Sequence, residues 1–88
     1  MHAVVVRVTV NNRESAERGL REGVVPQVSS APGFQAGYWT GAEDDSGLAM
    51  IIFDSEDNAR AAADRVPSTV TEDVNLEGVE VREVVASA

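Results

Sequence analysis

Few side chains in this sequence of 88 residues could carry chemistry, and two absences narrow the field further. Without Cys, these residues offer no thiolate nucleophile, no disulfide and no Cys-ligated zinc or iron–sulfur centre. Without Lys they offer no lysine Schiff base, which removes pyridoxal phosphate and imine-forming aldolase chemistry. His2 is the single imidazole, placed where chain ends fray. Proton transfer would therefore fall to Asp, Glu or the single Tyr38, and spacing marks none of them as a base. The densest carboxylates are Glu43, Asp44 and Asp45, and then Asp54, Glu56 and Asp57. Neither set has the spacing of a calcium loop, and a solvated turn and a helix N-terminus account for both. No resident metal or cofactor is expected.

The elements that must position these groups form one domain, residues 1–88, near the lower size limit for a chain that folds alone. The formal charge is -8, from 15 acidic residues against 7 basic ones, all of them Arg. Nucleic-acid affinity rests on cations that displace condensed counterions, so neither DNA nor RNA is an expected partner. An anionic membrane surface is disfavoured for the same reason. No apolar run approaches the ~20 residues that span a bilayer. The opening MHAVVVRVTV reads as a strand, not as a signal peptide, so a cytoplasmic location is expected.

Residues 3–10, AVVVRVTV, alternate Val4, Val6, Val8 and Val10 against Ala3, Val5, Arg7 and Thr9, the pattern of a central strand covered on both sides. Asn11 with Glu14 reads as a helix cap and its reciprocal partner. From Arg13 to about Ser30, Ala16, Leu20, Val24 and Val28 recur every four residues as the stripe of an amphipathic helix. Gly19 and Gly23 border that stripe, each at a cost of about 1 kcal/mol relative to Ala, which points to backbone lying close to the sheet or to a pocket. Pro26 should kink this helix or end its first part. Residues 32–55 hold all four aromatic side chains and read as a hairpin turning at Ala42–Ser46. Strict alternation puts Phe34, Ala36 and Tyr38 on one face of its first strand and Gln35, Gly37 and Trp39 on the other. The second strand splits into Ala49, Ile51 and Phe53 against Leu48, Met50 and Ile52. Asp54 or Ser55 caps a second helix that Pro67 closes, and Thr69 with Glu72 reads as a short capped turn within residues 68–77. A last strand follows Gly78.

The order β-α-β-β-α-β is an α+β ferredoxin-like arrangement, one four-stranded antiparallel sheet with both helices on a single face. The other face has no second helical layer to cover Trp39, Leu48, Met50 and Ile52. Their burial would be worth ~6 to 12 kcal/mol per subunit before association costs, so a homodimer pairing sheet against sheet is the expected unit.

Ala31-Pro32-Gly33-Phe34, Gly37-Tyr38-Trp39 and Ile51-Ile52-Phe53-Asp54-Ser55, with Asp57 and Ala59 following, resemble the antibiotic-biosynthesis-monooxygenase-like family of dimeric α/β barrels. The resemblance covers the whole chain and implies a dimeric α/β barrel. Its oxygenase members use no flavin, haem or metal: a phenolic substrate, deprotonated in an apolar pocket between helices and sheet, reacts with dioxygen directly. Carried over, Phe34, Tyr38, Ile51 and Phe53 would line that pocket, Gly19 and Gly23 would make room, and Tyr38 and Arg7 would orient or stabilise a phenolate. The haem-degrading branch uses an Asn, a Trp and a His, and this sequence departs at all three: the corresponding positions fall at Arg7 and Phe53, and no His follows Ser55. The expectation is thus a cofactor-independent monooxygenase acting on a small aromatic compound. The alternative is a non-enzymatic dimeric module that binds a small apolar ligand or serves in assembly.

Overall fold

The computed structural model describes residues 1–70 and 72–88. Strand β1 (His2–Val10) leads into helix α1 (Arg13–Gly19), a π-helical turn (Leu20–Val24) and helix α2 (Val25–Ser29). Strands β2 (Phe34–Gly41) and β3 (Ser46–Phe53) form the hairpin, followed by helix α3 (Glu56–Thr69) and strand β4 (Val74–Glu83). The sheet is antiparallel throughout, in the order β2-β3-β1-β4. This is the ferredoxin-like arrangement, and it puts the Val-rich β1 between two neighbouring strands; the expectation of cover on both faces is corrected at Arg7, which is exposed on the face away from the core.

The core lies between the sheet and α3. Val4, Val6, Ala49, Ile51 and Phe53 meet Ala59, and Phe53 and Ala59 are fully excluded from solvent. Small residues on α3 let it approach closely, with Ala62, Ala63 and Val66 packing beside Ala59. Phe34 meets Phe53 edge to face, ring centroids 6.3 Å apart. On the opposite face Ala3 and Val5 are also buried. In register they lie between Ile52 and Met50 on β3 and Arg82 and Glu80 on β4, whose longer side chains flank them.

Several local expectations shift. The cap of α1 is Asn12, whose side chain accepts from the Ser15 amide at 3.1 Å. Asn11 instead ties β1 to the segment before β4, donating to the Glu72 carbonyl at 3.1 Å. Ser55 caps α3, and that helix runs through Pro67 to Thr69. Strand β4 starts at Val74, and its register slips opposite the Arg7/Val8 step because Arg7 faces Gly78 while Val8 faces Leu76. Gly78 therefore marks a bulge inside the strand, a position glycine favours, and not the strand's beginning. The short turn expected around Thr69 and Glu72 includes residue 71, which lies outside the described residues.

A second bulge changes the chemistry of the faces. Phe34 pairs with Phe53, but Ala36 pairs with Ile52, so β2 spends one extra residue at Gln35. Beyond it the parity of β2 is reversed. Tyr38, opposite Met50, falls on the open face and is 66% exposed, whereas Trp39, opposite Ala49, turns to the helix side. The expectation that Tyr38 shares a face with Phe34, and Trp39 one with Met50, is corrected here: strict alternation fails across a bulge.

Candidate functional site

Between the sheet and the first helical segment lies a cavity of about 160 Å³. Its position follows from the helix above it. Ala16, Leu20, Val24 and Val28 all face it. In a regular α-helix a four-residue repeat drifts about 40° per step, so four such positions would wind off one face. The π turn takes up that drift. The Val25 amide bonds to the Leu20 carbonyl, five residues back, immediately before Pro26, which has no amide to return to the turn preceding it.

The roof is thin where side chains are small. The expectation is that the backbone at Gly19 and Gly23 lies close to the sheet or to a pocket; a Cβ built on either would meet nothing within 4 Å, so close approach to the sheet is corrected. Gly19 borders the cavity, and the exposed Gly23 does not. The floor is Val6, Val8, Ala49 and Ile51, and Trp39 forms one wall. Gly37 seats that indole: a Cβ there would stand 2.8 Å from Cη2 and 2.9 Å from Cζ3 of Trp39.

Among the described residues no titratable side chain lines the cavity. Of their hydroxyls, that of Thr69 is committed, donating to the Val66 carbonyl at 2.8 Å, while Thr40, in step with Tyr38 on the open face of β2, donates to the Leu48 carbonyl at 2.8 Å. A smaller space of about 90 Å³ adjoins it, sharing Val10, Ala16, Leu20, Trp39 and Thr40, and adds Arg13, Glu17, Asp45 and Ser46. The charge at this site therefore stands at its mouth.

Among the pocket residues the resemblance implied, Ile51 and Gly19 line the cavity. Phe34 and Phe53 lie in the core beside it, and Tyr38 and Gly23 are exposed away from it. Trp39, placed at the dimer face by alternation, is the cavity's aromatic wall; Leu48, Met50 and Ile52 remain on the open face, with Leu48 also bordering the cavity. The fixed four-residue spacing from Ala16 to Val28, read together with Pro26, was the available signal for a π turn.

Arg7 belongs to the open face. Its Nη1 and the Nη2 of Arg82 each donate to Oε1 of Glu80 at 2.9 Å. These bonds, that from Arg82 first and that from Arg7 next, hold the Glu80 carboxyl below its ordinary range. Asp44 in the hairpin turn is likewise lowered, by the Ser46 hydroxyl at 2.6 Å and then by the Ser46 amide at 3.2 Å. His2 stands beside the start of α3, Nε2 3.4 Å from Oε2 of Glu56, and its buried Nδ1 has no hydrogen-bond partner among the described residues. Among those residues no group of three or more His, Cys, Asp or Glu could hold a metal ion, and no helix is long and apolar enough to cross a membrane. No protein-family model matches this chain, and no curated protein matches it in sequence.

Proposed function

We propose that this domain is a dimeric binding module that takes a small apolar or aromatic ligand between its first helical segment and its sheet. The observation that carries the reading is the cavity of about 160 Å³ whose walls hold no titratable group among the described residues. That volume is close to the ~150 Å³ of an apolar cavity that stays dry and accepts benzene. The ring-sized space, the Trp39 wall and the committed Thr69 hydroxyl suit a body held by dispersion and desolvation. Titration with 2-phenylethanol, followed by calorimetry and by amide NMR shifts, should perturb Leu20, Val24, Trp39 and Ala49 at one-to-one stoichiometry per chain. Shifts confined to the open face would refute the assignment.

Self-association is the companion proposal. The open face exposes Tyr38 at 66%, Leu48 at 44% and Met50 at 43%, an apolar band beside the Arg7, Glu80 and Arg82 cluster. A two-fold partner would cover it with its own copy. Wild type should sediment as a dimer at micromolar concentration in a cytoplasm-like buffer, and Met50→Asp as a monomer that keeps its far-ultraviolet spectrum; a monomeric wild type would end this proposal.

Cofactor-independent oxygenation is the second reading, favoured by the same open, apolar cavity. Because no base lines its walls among the described residues, a substrate would have to be acidic enough to ionise before entry or to lose its proton at the mouth, where Glu17 and Asp45 stand. Dioxygen uptake with anthrone- or quinol-type substrates, abolished by Ala16→Leu, tests it. Uptake that Ala16→Leu leaves intact would place the chemistry elsewhere.

A further inference from the structure

We propose that the cavity's ligand is an organic cation, a ring-sized apolar body carrying an ammonium group, with the body under the π turn and the ammonium at the mouth between Trp39 and Asp45. The inference rests on the reading of the cavity as a ligand site and names the chemistry of its occupant.

Three independent observations point the same way. The first is which charges at the mouth are already used. Arg13 donates from Nε to Oε1 of Glu17 at 3.2 Å and extends Nη1 to within 3.5 Å of the Ala42 carbonyl, so this pair largely neutralises itself. The Asp45 side chain makes no hydrogen bond or ion pair among the described residues. Its backbone is nevertheless fixed: φ is 67°, a left-handed conformation that Asp tolerates, and its carbonyl accepts from the Val10 amide at 2.7 Å. Asp45 is exposed in the hairpin turn, so its carboxylate is solvated, and a cation held beside the apolar space would find it without a competing protein partner.

The second is hydrogen-bonding polarity. A hydroxyl has one proton to donate, and Thr69 has given its own to the Val66 carbonyl. It can only accept from a ligand. An ammonium has three N–H groups to offer, whereas a carboxylate has none and would find the Trp39 N–H as the one side-chain donor among the described residues of the cavity walls.

The third is the field and the ring. A chain of formal charge -8 draws cations and repels anions from its surface. Trp39 borders both the cavity and its mouth, and an indole face is the best of the aromatic partners for a cation.

The test compares one body with three heads: 2-phenylethylammonium, 2-phenylethanol and 3-phenylpropionate, titrated calorimetrically into the intact protein at low ionic strength. The ammonium should bind about tenfold more tightly than the alcohol and by more than that over the carboxylate, the gap narrowing as salt is raised. Asp45→Asn, which keeps a residue tolerant of the left-handed conformation, should bring the ammonium to the affinity of the alcohol and leave the alcohol unchanged. Arg13→Gln, which releases Glu17, should tighten the ammonium further. Equal affinities for the three heads, or a preference that Asp45→Asn does not alter, would overturn the cation inference while leaving the cavity a ligand site. A carboxylate that binds most tightly and is lost in Arg13→Gln would overturn it in favour of an anion seat. Failure of all three probes to bind would remove the ligand site itself.

Discussion

Ala16→Leu separates an open cavity from a filled one, because the two cases give opposite signs. Ala16 lies on α1 and borders both the cavity and its mouth, so a longer side chain enters space that is now empty. At about 24 cal/mol per Å³, an enclosed void of 160 Å³ would destabilise the fold by roughly 4 kcal/mol, an upper limit here because this cavity opens to solvent. Leucine adds three carbons at about 0.8 kcal/mol each, an upper limit near 2.4 kcal/mol that the open mouth reduces to about 1 to 2 kcal/mol. Leu and Ala differ little in helix propensity, so the backbone contributes almost nothing to the change. For a domain of this size each kcal/mol moves the melting temperature by about 4 to 8 °C. Scanning calorimetry at one fixed protein concentration should therefore show Ala16→Leu melting at least ~4 °C above wild type, with binding of 2-phenylethanol lost. A lower melting temperature would mean the leucine is overpacked into a space already full. Retained binding would mean the ligand sits elsewhere.

Gly37→Ala should be harmful, because the new methyl falls 2.8 Å from the Trp39 ring and 3.4 Å from Phe34. About 1 to 3 kcal/mol of stability should be lost, with a red shift in indole emission as the ring moves toward water. Gly23→Ala should stabilise by up to about 1 kcal/mol in urea unfolding, since its Cβ meets nothing within 4 Å. Glu80 and Asp44 are both held below their ordinary values, so each contributes stability that is present above its unfolded pKa and lost as pH falls through the folded one. Urea midpoints should fall as pH drops below about 4.5, and Glu80→Gln should make that fall shallower; an unchanged slope would show that the Arg82 and Arg7 contacts to Glu80 do not persist in solution.

The strand and helix order was legible because β-branched alternation and capping residues act locally: AVVVRVTV is a strand and Ser55 a cap whatever surrounds them. What was not legible depends on pairing. The bulge at Gln35 exists only in the register of β2 against β3, and it alone decides that Trp39, not Tyr38, turns toward the helices. The open-face placement of Leu48, Met50 and Ile52 followed correctly from alternation, because β3 carries no bulge. Gly19 and Gly23 read as lying close to the sheet or to a pocket because glycine in a helix needs a reason; of the two alternatives the pocket holds at Gly19, which borders the cavity, and neither holds at Gly23. The partner of Arg7, Glu80 on β4, lies 73 residues away in sequence, beyond any local pattern.

The most direct test is a crystal of the protein pressurised with xenon, which enters apolar voids without needing a hydrogen bond. The account predicts a xenon site under Leu20 and Val24, against Trp39 and Ile51, with the π turn unchanged. A first helix seated on the sheet, its stripe filling that space and no xenon bound there, would contradict it.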